Sequence, residues 1–453
     1  MLADNKQNTM TDTICAIATP PGMGGVGVIR ISGPSSVAIA DQILEISLQP
    51  RVAHFCRFLD ERGKTLDSGI AILFSAPASF TGEDVVELQG HGGPQIMQMV
   101  LARVMSLGAR AANPGEFSER AFLNNKLDLV QVEAIADLIE SGTEASARAA
   151  QRSLDGVFSE QVNRLQQELI DLRVFVEAAM DFPDEEIDFL ADSDVLDRLQ
   201  GVGVALNTLL NQAHQGQLLR DGINIAIAGL PNAGKSSLLN ALAGKDSAIV
   251  TDIPGTTRDV LREYISLDGL PVHVADTAGI RESADQVEAE GVRRARATLA
   301  SADLVLLVID YTQNPDMQLA LKTEIPKTVP CIEVYNKLDL TGDEIGVNEE
   351  LLQAMVSAKT GQGLQRLIDL IKSVVGASSS HEGVFSARTR HLDALKRTLV
   401  HIETGEQQLR DFNAAETLAE ELRLAQKALG EITGQYLPDD LLGAIFSSFC
   451  IGK

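Results

Sequence analysis

The 453-residue chain contains no tryptophan, and aromatic residues make up only 4% of it. A surface that stacks nucleic-acid bases on aromatic side chains is therefore not expected. No apolar run approaches the length of a membrane-spanning helix, and the acidic stretch Met1 to Asp4 lacks the basic start of a signal peptide. These absences predict a soluble, cytoplasmic protein without membrane contact.

Cysteine and basic residues are also scarce. The sequence indicates neither a zinc ribbon nor a disulfide framework, because its four cysteines lie far apart without a C-x-x-C pair: Cys15, Cys56, Cys331 and Cys450. Lysine and arginine number 38 against 63 aspartates and glutamates, and the net charge of −25 opposes indiscriminate binding to nucleic acid. Any contact with RNA must therefore be local or shared with a partner.

A phosphate-loop motif is present in the middle of the chain. Residues 229–236 read Gly-Leu-Pro-Asn-Ala-Gly-Lys-Ser and fit the pattern G-x-x-x-x-G-K-[ST] between a strand-like and a helix-like stretch. Its backbone N–H groups can surround phosphates, Lys235 supplies a cation, and the Ser236 hydroxyl is placed to bind Mg²⁺. The motif predicts a nucleotide site that includes Asn232, Ala233, Gly234, Lys235, Ser236 and Ser237.

A second group of motifs is typical of a nucleotide switch. Asp276 follows a strand-like run, so its carboxylate is expected to face the nucleotide and the Mg²⁺ shell. The N–H of Gly279 can meet the γ-phosphate, and Thr257 can be the second hydroxyl ligand of Mg²⁺. The predicted switch residues are Thr251, Asp252, Ile253, Pro254, Gly255, Thr256, Thr257, Asp276, Thr277, Ala278 and Gly279.

The choice of base is predicted by residues 336–339, which read Asn-Lys-Leu-Asp after an apolar run. The Asp339 carboxylate can accept both guanine N1–H and N2–H₂, a donor pair that adenine lacks, so GTP is favoured. The later stretch 357–359 completes the expected pocket. The predicted base-binding residues are Asn336, Lys337, Leu338, Asp339, Ser357, Ala358 and Lys359.

Changes in periodicity divide the chain into four segments. Residues 1–125 alternate short β-rich runs with turns and one helical stretch, which indicates an α+β domain. Residues 126–220 change to a helical period, with a long amphipathic helix expected from Leu154 to Val176. The nucleotide domain occupies 221–376, and helices return over 377–453, so the nucleotide domain is expected to be inserted into one helical domain.

Together the nucleotide motifs resemble a Ras-like GTPase, and the whole chain resembles the MnmE (TrmE) family of tRNA-modification GTPases. The most specific matches outside the GTPase motifs are the stretches 18–22, 88–94, 121–128 and 449–453. One departure is Met23, where the family's glycine-rich turn is expected to have arginine. The resemblance implies a multidomain α/β protein with an α+β folate-binding-like domain, an all-α helical domain and an inserted doubly wound P-loop GTPase domain.

The resemblance also implies a function. The family works with the flavoprotein MnmG (GidA), as a heterotetramer, to add an aminomethyl-type (carboxymethylaminomethyl) group at C5 of the wobble uridine of certain tRNAs. Its N-terminal domain forms a homodimer and binds a tetrahydrofolate one-carbon derivative. On this chain, the folate site would comprise Arg30, Glu87, Lys126 and Lys453.

Further roles follow from the resemblance. Ras-like proteins usually have glutamine after the Asp-Thr-Ala-Gly motif, but Ile280 occupies that position here, and the resemblance assigns the positioning of water to Glu288. The resemblance assigns Cys450 to tRNA modification; a thiol that only packs in the carboxyl-terminal helix is the alternative. A potassium ion is implied at Asn232, Thr251, Ile253 and Thr256.

Two other classes of function are compatible with a GTPase motif. One is an assembly GTPase that acts on ribosomes or membranes, and the net acidity of the chain opposes it. The other is a folate enzyme with a regulatory GTPase domain, and the N-terminal domain offers no nucleophile or base that sequence alone identifies. A GTPase of tRNA modification is therefore favoured.

Overall fold

A computed structural model describes the chain in two compact units, one of residues 1–136 with 430–453 and one of residues 137–429. The described residues are 12–181, 193–244, 262–276, 296–314, 318, 320–341, 346–377, 383–436, 439–447, 449 and 452.

The first unit is built on a six-stranded sheet. Its strands are β1 Ile14–Ile17, β2 Gly24–Ser32, β3 His54–Leu59, β4 Thr65–Phe74, β5 Val85–Gly92 and β6 Arg110–Ala111. They lie in the order β3-β4-β5-β2-β1-β6. Neighbouring strands are antiparallel except β1 and β6, which are parallel.

Helices α1 Ser36–Leu44 and α2 Pro94–Ser106 supply the apolar core of this unit. Ile39 and Val100 from these helices are buried together with alternate strand residues such as Ile29 and Leu88. Helix α3 Glu116–Leu123 and the start of α4 Leu129–Glu140 follow in sequence, and α12 Asp439–Ser447 comes from the other end of the chain. The alternation of buried residues along each strand is what fixes the face that carries the helices.

The carboxyl-terminal helix is held by aromatic packing. Phe446 is buried against Leu129 and Val132, and its ring centroid lies 6.2 Å from that of Phe122. Beyond the helix, a Cβ on Gly452 would lie 2.5 Å from the carbonyl oxygen of Ile17, and Gly452 has φ +97°. Glycine is therefore required where the tail passes the end of β1.

A buried ionic network fixes α3 at the end of the sheet. The Arg120 guanidinium, 4% exposed, lies within 3.1 Å of carboxylate oxygens of Asp12, Glu83 and Glu116. Arg110 also pairs with Glu116, through two parallel hydrogen bonds. Burial alone would raise the pKa of Glu116, but these hydrogen bonds outweigh burial and hold the pKa below its usual value.

The second unit contains a group of long helices and a seven-stranded sheet. The helices are α5 Glu144–Leu154, α6 Val157–Asp181, α7 Ser193–Asp221, α10 Thr389–Phe412 and α11 Ala415–Thr433. The sequence predicted one helix from Leu154 to Val176, but Leu154 ends the preceding helix. The break comes at Gly156, whose φ of +91° is incompatible with a continuous helix.

The strands of the seven-stranded sheet are β7 Ile223–Ala228, β8 Arg262–Leu267, β9 Leu270–Asp276, β10 Leu304–Asp310, β11 Cys331–Asn336, β12 Val347–Asn348 and β13 Gln353–Met355. They lie in the order β12-β13-β11-β10-β7-β9-β8, with antiparallel pairs only at the two edges. The same part of the chain contains helices α8 Lys235–Ala243 and α9 Leu364–Val374 and short 3₁₀ helices at Ala320–Glu324 and Leu338–Leu340. Every residue of β10 is buried, as expected for a central parallel strand covered on both faces.

Both chain connections between the long helices and this sheet meet at one buried carboxylate. Asp137 accepts hydrogen bonds from Arg220 Nε at 2.8 Å, just before the chain enters β7. It also accepts from Ser386 Oγ at 2.5 Å and a terminal guanidinium nitrogen of Arg388 at 2.7 Å, on the segment that leads into α10. The chain segments that enter and leave the part with the sheet are therefore bonded to the same carboxylate.

Among the described residues, no helix is both long enough and apolar enough to cross a membrane.

The contact between α7 and the segment before α10 gives a stability prediction. A Cβ on Gly216 would lie 1.9 Å from the carbonyl oxygen of Phe385, whereas Gly203 in the same helix faces open space. Gly216→Ala is expected to lower the melting temperature by several degrees, because overpacking costs about 1–3 kcal/mol. Gly203→Ala should stabilise the helix slightly. Equal thermal unfolding curves for the two variants would contradict this packing.

Candidate functional site

The phosphate-loop motif joins the end of β7 to the start of α8, and two of its glycines are required by close contacts. A Cβ on Gly229 would lie 2.4 Å from the carbonyl oxygen of Val308, and one on Gly234 would lie 2.2 Å from Asn336 Nδ2. Both residues have positive φ, +151° and +96°. The loop is therefore pressed against the neighbouring strand and against the residue that ends β11.

The side chains of this loop divide into a buried part and an exposed part. Lys235 is 8% exposed, and its ammonium donates to the carbonyl oxygens of Gly229 and Leu230 at 3.0 and 3.1 Å. Asn232, Ser236 and Ser237 are exposed, as ligand-binding groups at a helix N-terminus need to be. The structure thus places a cation and exposed hydroxyl groups around one loop.

Asn336 connects this loop to the predicted base-binding residues. Its side chain is buried, and its Nδ2 donates to the carbonyl oxygen of Ala233 at 3.1 Å. Its Oδ1 accepts from Ala358 N at 3.0 Å. Ser357 Oγ donates to Asp339 Oδ1 at 2.7 Å, and Asp339 itself is exposed. The phosphate loop and both base-binding stretches therefore meet at one amide side chain.

The remaining base-binding residues lie around the same point. Leu338 is buried, Lys359 is exposed, and Lys337 has φ +71° at the start of the 3₁₀ helix that carries Asp339. Lys337 Nζ lies 2.7 Å from Asp310 Oδ2. Sequence analysis missed Asp310. The sequence feature that could have identified it is a carboxylate at the end of an otherwise apolar strand.

The predicted switch residues are only partly described. Asp276 ends β9 and is paired with Ile227, directly before the phosphate loop. Its backbone is therefore at the same edge of the sheet as the loop. The other predicted switch residues and Glu288 lie outside the described residues: Thr251, Asp252, Ile253, Pro254, Gly255, Thr256, Thr257, Thr277, Ala278 and Gly279.

In the first unit, two of the four predicted folate-binding residues form an ion pair. Arg30 and Glu87 are cross-strand neighbours on β2 and β5, and Arg30 donates to Glu87 Oε1 at 2.9 and 3.0 Å. The Arg30 guanidinium carbon lies 5.4 Å from the ring centroid of Phe80 and 5.8 Å from that of Phe117. Sequence analysis did not identify these rings, because neither Phe80, in a loop, nor Phe117, in α3, belongs to a motif.

The loop that carries Phe80 also receives Lys126. Lys126 Nζ donates to the carbonyl oxygen of Pro77 at 3.0 Å, and its stem lies beside Gly82. Cys450 and Lys453 lie outside the described residues, although Gly452 between them is buried at the end of β1. The structure thus brings Arg30, Glu87 and Lys126 around residues 77–82.

Comparisons with known proteins cover the whole arrangement. Residues 13–126 match the family described as the GTP-binding protein TrmE N-terminus, and residues 129–450 match the MnmE helical domain. The "tRNA modification GTPase MnmE" of Marinobacter nauticus is 53% identical over 98% of this chain and 99% of its own length. The chain belongs to the MnmE family of tRNA-modification GTPases. The family and the three-part fold class predicted from the sequence are thereby confirmed.

A second curated relative agrees with the MnmE assignment, and one solved structure matches part of the chain. The protein of the same name from Methylococcus capsulatus is 54% identical over 98% of this chain and 99% of its own length. The GTPase domain of the FeoB iron transporter from T. maritima is 28% identical over 34% of this chain and 98% of that chain, with a TM-score of 0.26. As a member of the MnmE family, the chain is a GTP hydrolase of tRNA modification.

The contact of Gly234 with Asn336 generates a binding prediction. Gly234→Ala would force a side chain into a backbone of φ +96° and against an amide 2.2 Å away. We expect GTP affinity to fall about tenfold or more, since such strain costs about 1–3 kcal/mol. Gly346→Ala, in the same domain but with open space around it, is the matched control. Isothermal titration with GTP would contradict the prediction if both variants bound alike.

Proposed function

We propose that the chain hydrolyses GTP while it acts with the flavoprotein MnmG (GidA) to add an aminomethyl-type (carboxymethylaminomethyl) group at C5 of the wobble uridine of certain tRNAs. The observation that carries this proposal is the full-length relationship to the MnmE family together with a phosphate loop joined to the base-binding stretches by Asn336. Nucleoside analysis of tRNA from cells that lack the protein tests it. Loss of the modified wobble uridine is expected, and an unchanged nucleoside profile would refute the proposal.

The proposed division of labour follows the four segments of the chain. Residues 1–125 would form the homodimer and bind a tetrahydrofolate one-carbon derivative, and 221–376 would bind and hydrolyse GTP. The helical segments 126–220 and 377–453 would connect them, with the flavoprotein completing a heterotetramer in the cytoplasm. The net charge of −25 supports an arrangement in which tRNA is shared with a partner.

Guanine recognition is assigned to Asp339. Its exposed carboxylate is held on one side by Ser357 Oγ, which leaves acceptor capacity for guanine N1–H and N2–H₂. The buried Asn336 keeps the 3₁₀ helix and the stretch 357–359 next to the phosphate loop. The base and the phosphates of one nucleotide would therefore be bound by parts that are fixed to each other.

Magnesium fits the oxygen donors at the edge of the sheet. Ser236 presents an exposed hydroxyl at the start of α8, and Asp276 ends the strand beside β7. We assign Mg²⁺ ligation to Ser236 and Thr257, with Asp276 in the surrounding shell; hard oxygen ligands of this kind suit the ion. When bound, Mg²⁺ neutralises charge on the phosphates.

Hydrolysis requires groups that the phosphate loop does not supply. Ile280 cannot orient water, so we assign this role to Glu288, by family resemblance. A potassium ion would provide the positive charge that an arginine finger provides elsewhere. Its proposed ligands are Asn232, Thr251, Ile253 and Thr256, of which Asn232 is exposed in the loop with φ +65°.

The potassium assignment predicts a dependence on the monovalent cation. GTP turnover is expected to be about tenfold or more faster in K⁺ than in Na⁺. This is a smaller increase in rate than an arginine finger gives in other GTPases. Asn232→Ala should reduce this difference, because it removes one oxygen ligand. Turnover is measured in matched chloride salts, and equal rates in both would exclude the ion site.

The folate assignment rests on Arg30, Glu87, Lys126 and Lys453. A pterin with a glutamate tail needs a carboxylate acceptor and basic donors. The Arg30–Glu87 pair supplies both at one point, and Phe80 and Phe117 lie beside it. The amino group of Lys126 lies on the same loop as Phe80. These contacts support a ligand that is flat, polar at its edge and anionic at its tail.

Cys450 is the thiol that we assign to tRNA modification. Burial raises the pKa of Cys15 and of Cys331 to about 11 each, and burial also raises the pKa of Cys56. Those thiols are protonated at neutral pH and are poor nucleophiles. The assignment to Cys450 is supported by the anchoring of the tail through Phe446 and Gly452.

The role of Cys450 predicts a separation of two activities. Cys450→Ser is expected to leave GTP hydrolysis unchanged but to abolish or strongly reduce wobble-uridine modification, because the tail lies in the first unit and the nucleotide loop in the second. Cys56→Ser is the control for loss of a thiol. Nucleoside analysis of cells that carry only the variant decides: full modification would make Cys450 a packing residue.

A further inference from the structure

Asp310, the last residue of β10, has a role that no motif assigns. Its side chain is 3% exposed. On one side Asp310 is paired with Asn336 of β11. On the other side, the pairing of β10 with β7 ends at Leu307 and Ala228, where the chain turns into the phosphate loop. The N–H and C=O of Asp310 on that side therefore need a partner other than a strand.

A buried glutamine supplies that partner. Asp310 N donates to Gln318 Oε1 at 2.7 Å, and Gln318 Nε2 donates to the carbonyl oxygen of Asp310 at 3.0 Å. Gln318 is 2% exposed. The amide side chain thus takes the place of a neighbouring strand and fixes the main chain of Asp310.

The carboxylate of Asp310 is fixed just as firmly. Oδ1 accepts from Thr312 N at 3.0 Å and from Thr312 Oγ1 at 2.6 Å. Oδ2 accepts from Gln313 Nε2 at 3.0 Å and from Lys337 Nζ at 2.7 Å. A carboxylate with this many donors and a fixed main chain is a rigid anchor.

The group held by this anchor is a lysine in an unusual conformation. Lys337 has φ +71°, a region that residues other than glycine seldom adopt. It begins the 3₁₀ helix Leu338–Leu340, which presents Asp339. Because Lys337 directly follows Asn336, a change in its backbone would move Asp339 relative to the phosphate loop.

We propose that Asp310 is a positioning residue for guanine recognition: its ion pair with Lys337 holds the 3₁₀ helix in the conformation in which Asp339 meets the base. This inference rests on the proposed binding of guanine by residues 336–339. The carboxylate does not touch the nucleotide; it acts through Lys337. The ligand class is a guanine nucleotide, and the effect is on the lifetime of the complex.

The neighbouring strand β11 offers a matched control. Lys322 Nζ lies 2.7 Å from Glu333 Oε1, and the Glu333 side chain is 6% exposed, so length and burial resemble those of the Asp310 pair. Glu333 is on β11, three residues before Asn336, and its partner Lys322 is on another 3₁₀ helix. Glu333→Gln therefore removes a comparable ion pair without disturbing Lys337.

The experiment measures release of fluorescently labelled GDP from the full-length protein. Asp310→Asn, which keeps the shape and removes the charge, is expected to accelerate release about 10- to 100-fold, the range for one charge-assisted hydrogen bond. Glu333→Gln should stay within about twofold of the wild type, as for a pair remote from the ligand. Release within twofold for Asp310→Asn, or equal acceleration by both variants, would overturn the proposal.

Two further variants, Lys337→Met and the double variant of Asp310 and Lys337, test whether Asp310 acts through Lys337. Lys337→Met keeps the aliphatic stem but removes the ammonium. If Asp310→Asn does not fold, this variant tests the role of the ion pair in its place. It should also accelerate GDP release, and the double variant should release GDP no faster than Lys337→Met alone, because both changes remove one interaction. Normal release from Lys337→Met, or additive effects in the double variant, would contradict the proposal.

Failure of the guanine assignment itself is recognised separately. Asp339→Asn should exchange the preference for guanine nucleotides for xanthine nucleotides, because a donor then faces the base edge. If this exchange is absent, residues 336–339 do not read guanine and the proposed pocket is wrong, along with the inference. If the exchange is present and Asp310→Asn releases GDP normally, the pocket is right and only the role of Asp310 is wrong.

Discussion

The nucleotide site depends on one buried amide, that of Asn336. It ends β11, a strand between β10 and β13, and bonds the phosphate loop through the Ala233 carbonyl and the later base-binding stretch through Ala358 N. An apolar residue here would leave a buried donor and acceptor without partners, at about 1–3 kcal/mol each. The same amide excludes a side chain at Gly234. A requirement for glycine in the loop is thus set by a residue about a hundred positions later.

The sheet that carries this site is bonded to the helices at the end of its strands opposite the phosphate loop. Asp137 binds both connections, and Thr143, which caps α5, donates to the carbonyl oxygen of Gly269 at 3.0 Å. Gly269 directly precedes β9, the strand that ends at Asp276. The strand that ends at Asp276 is therefore attached at its other end to a helix. A movement of this strand would either break the hydrogen bond between Thr143 and Gly269 or move α5 with it.

The sequence predicted the family, the fold class and the local motifs, because these depend on short spacings that local backbone geometry enforces. It predicted only one helical stretch within residues 1–125, but the described residues of this segment form three helices: Ser36–Leu44, Pro94–Ser106 and Glu116–Leu123. It did not predict Asp310 or Phe80, because their roles depend on partners far away in sequence: the lysine that follows β11 and an arginine on β2. The break at Gly156 was missed because the apolar pattern of the sequence continues across it, from Leu154 to Phe158. Periodicity reports a common buried face and not the continuity of the backbone.

The arrangement of the arginines determines how strongly this acidic GTPase of tRNA modification can attract tRNA by itself. In the first unit, Arg30, Arg110 and Arg120 each form ion pairs with carboxylates. In the second, Arg220 and Arg388 share Asp137. A guanidinium committed to an internal carboxylate adds little to the positive surface that attracts phosphate. The whole chain has a net charge of −25, so it offers little long-range attraction for tRNA, and in the proposed complex the flavoprotein partner would supply that attraction.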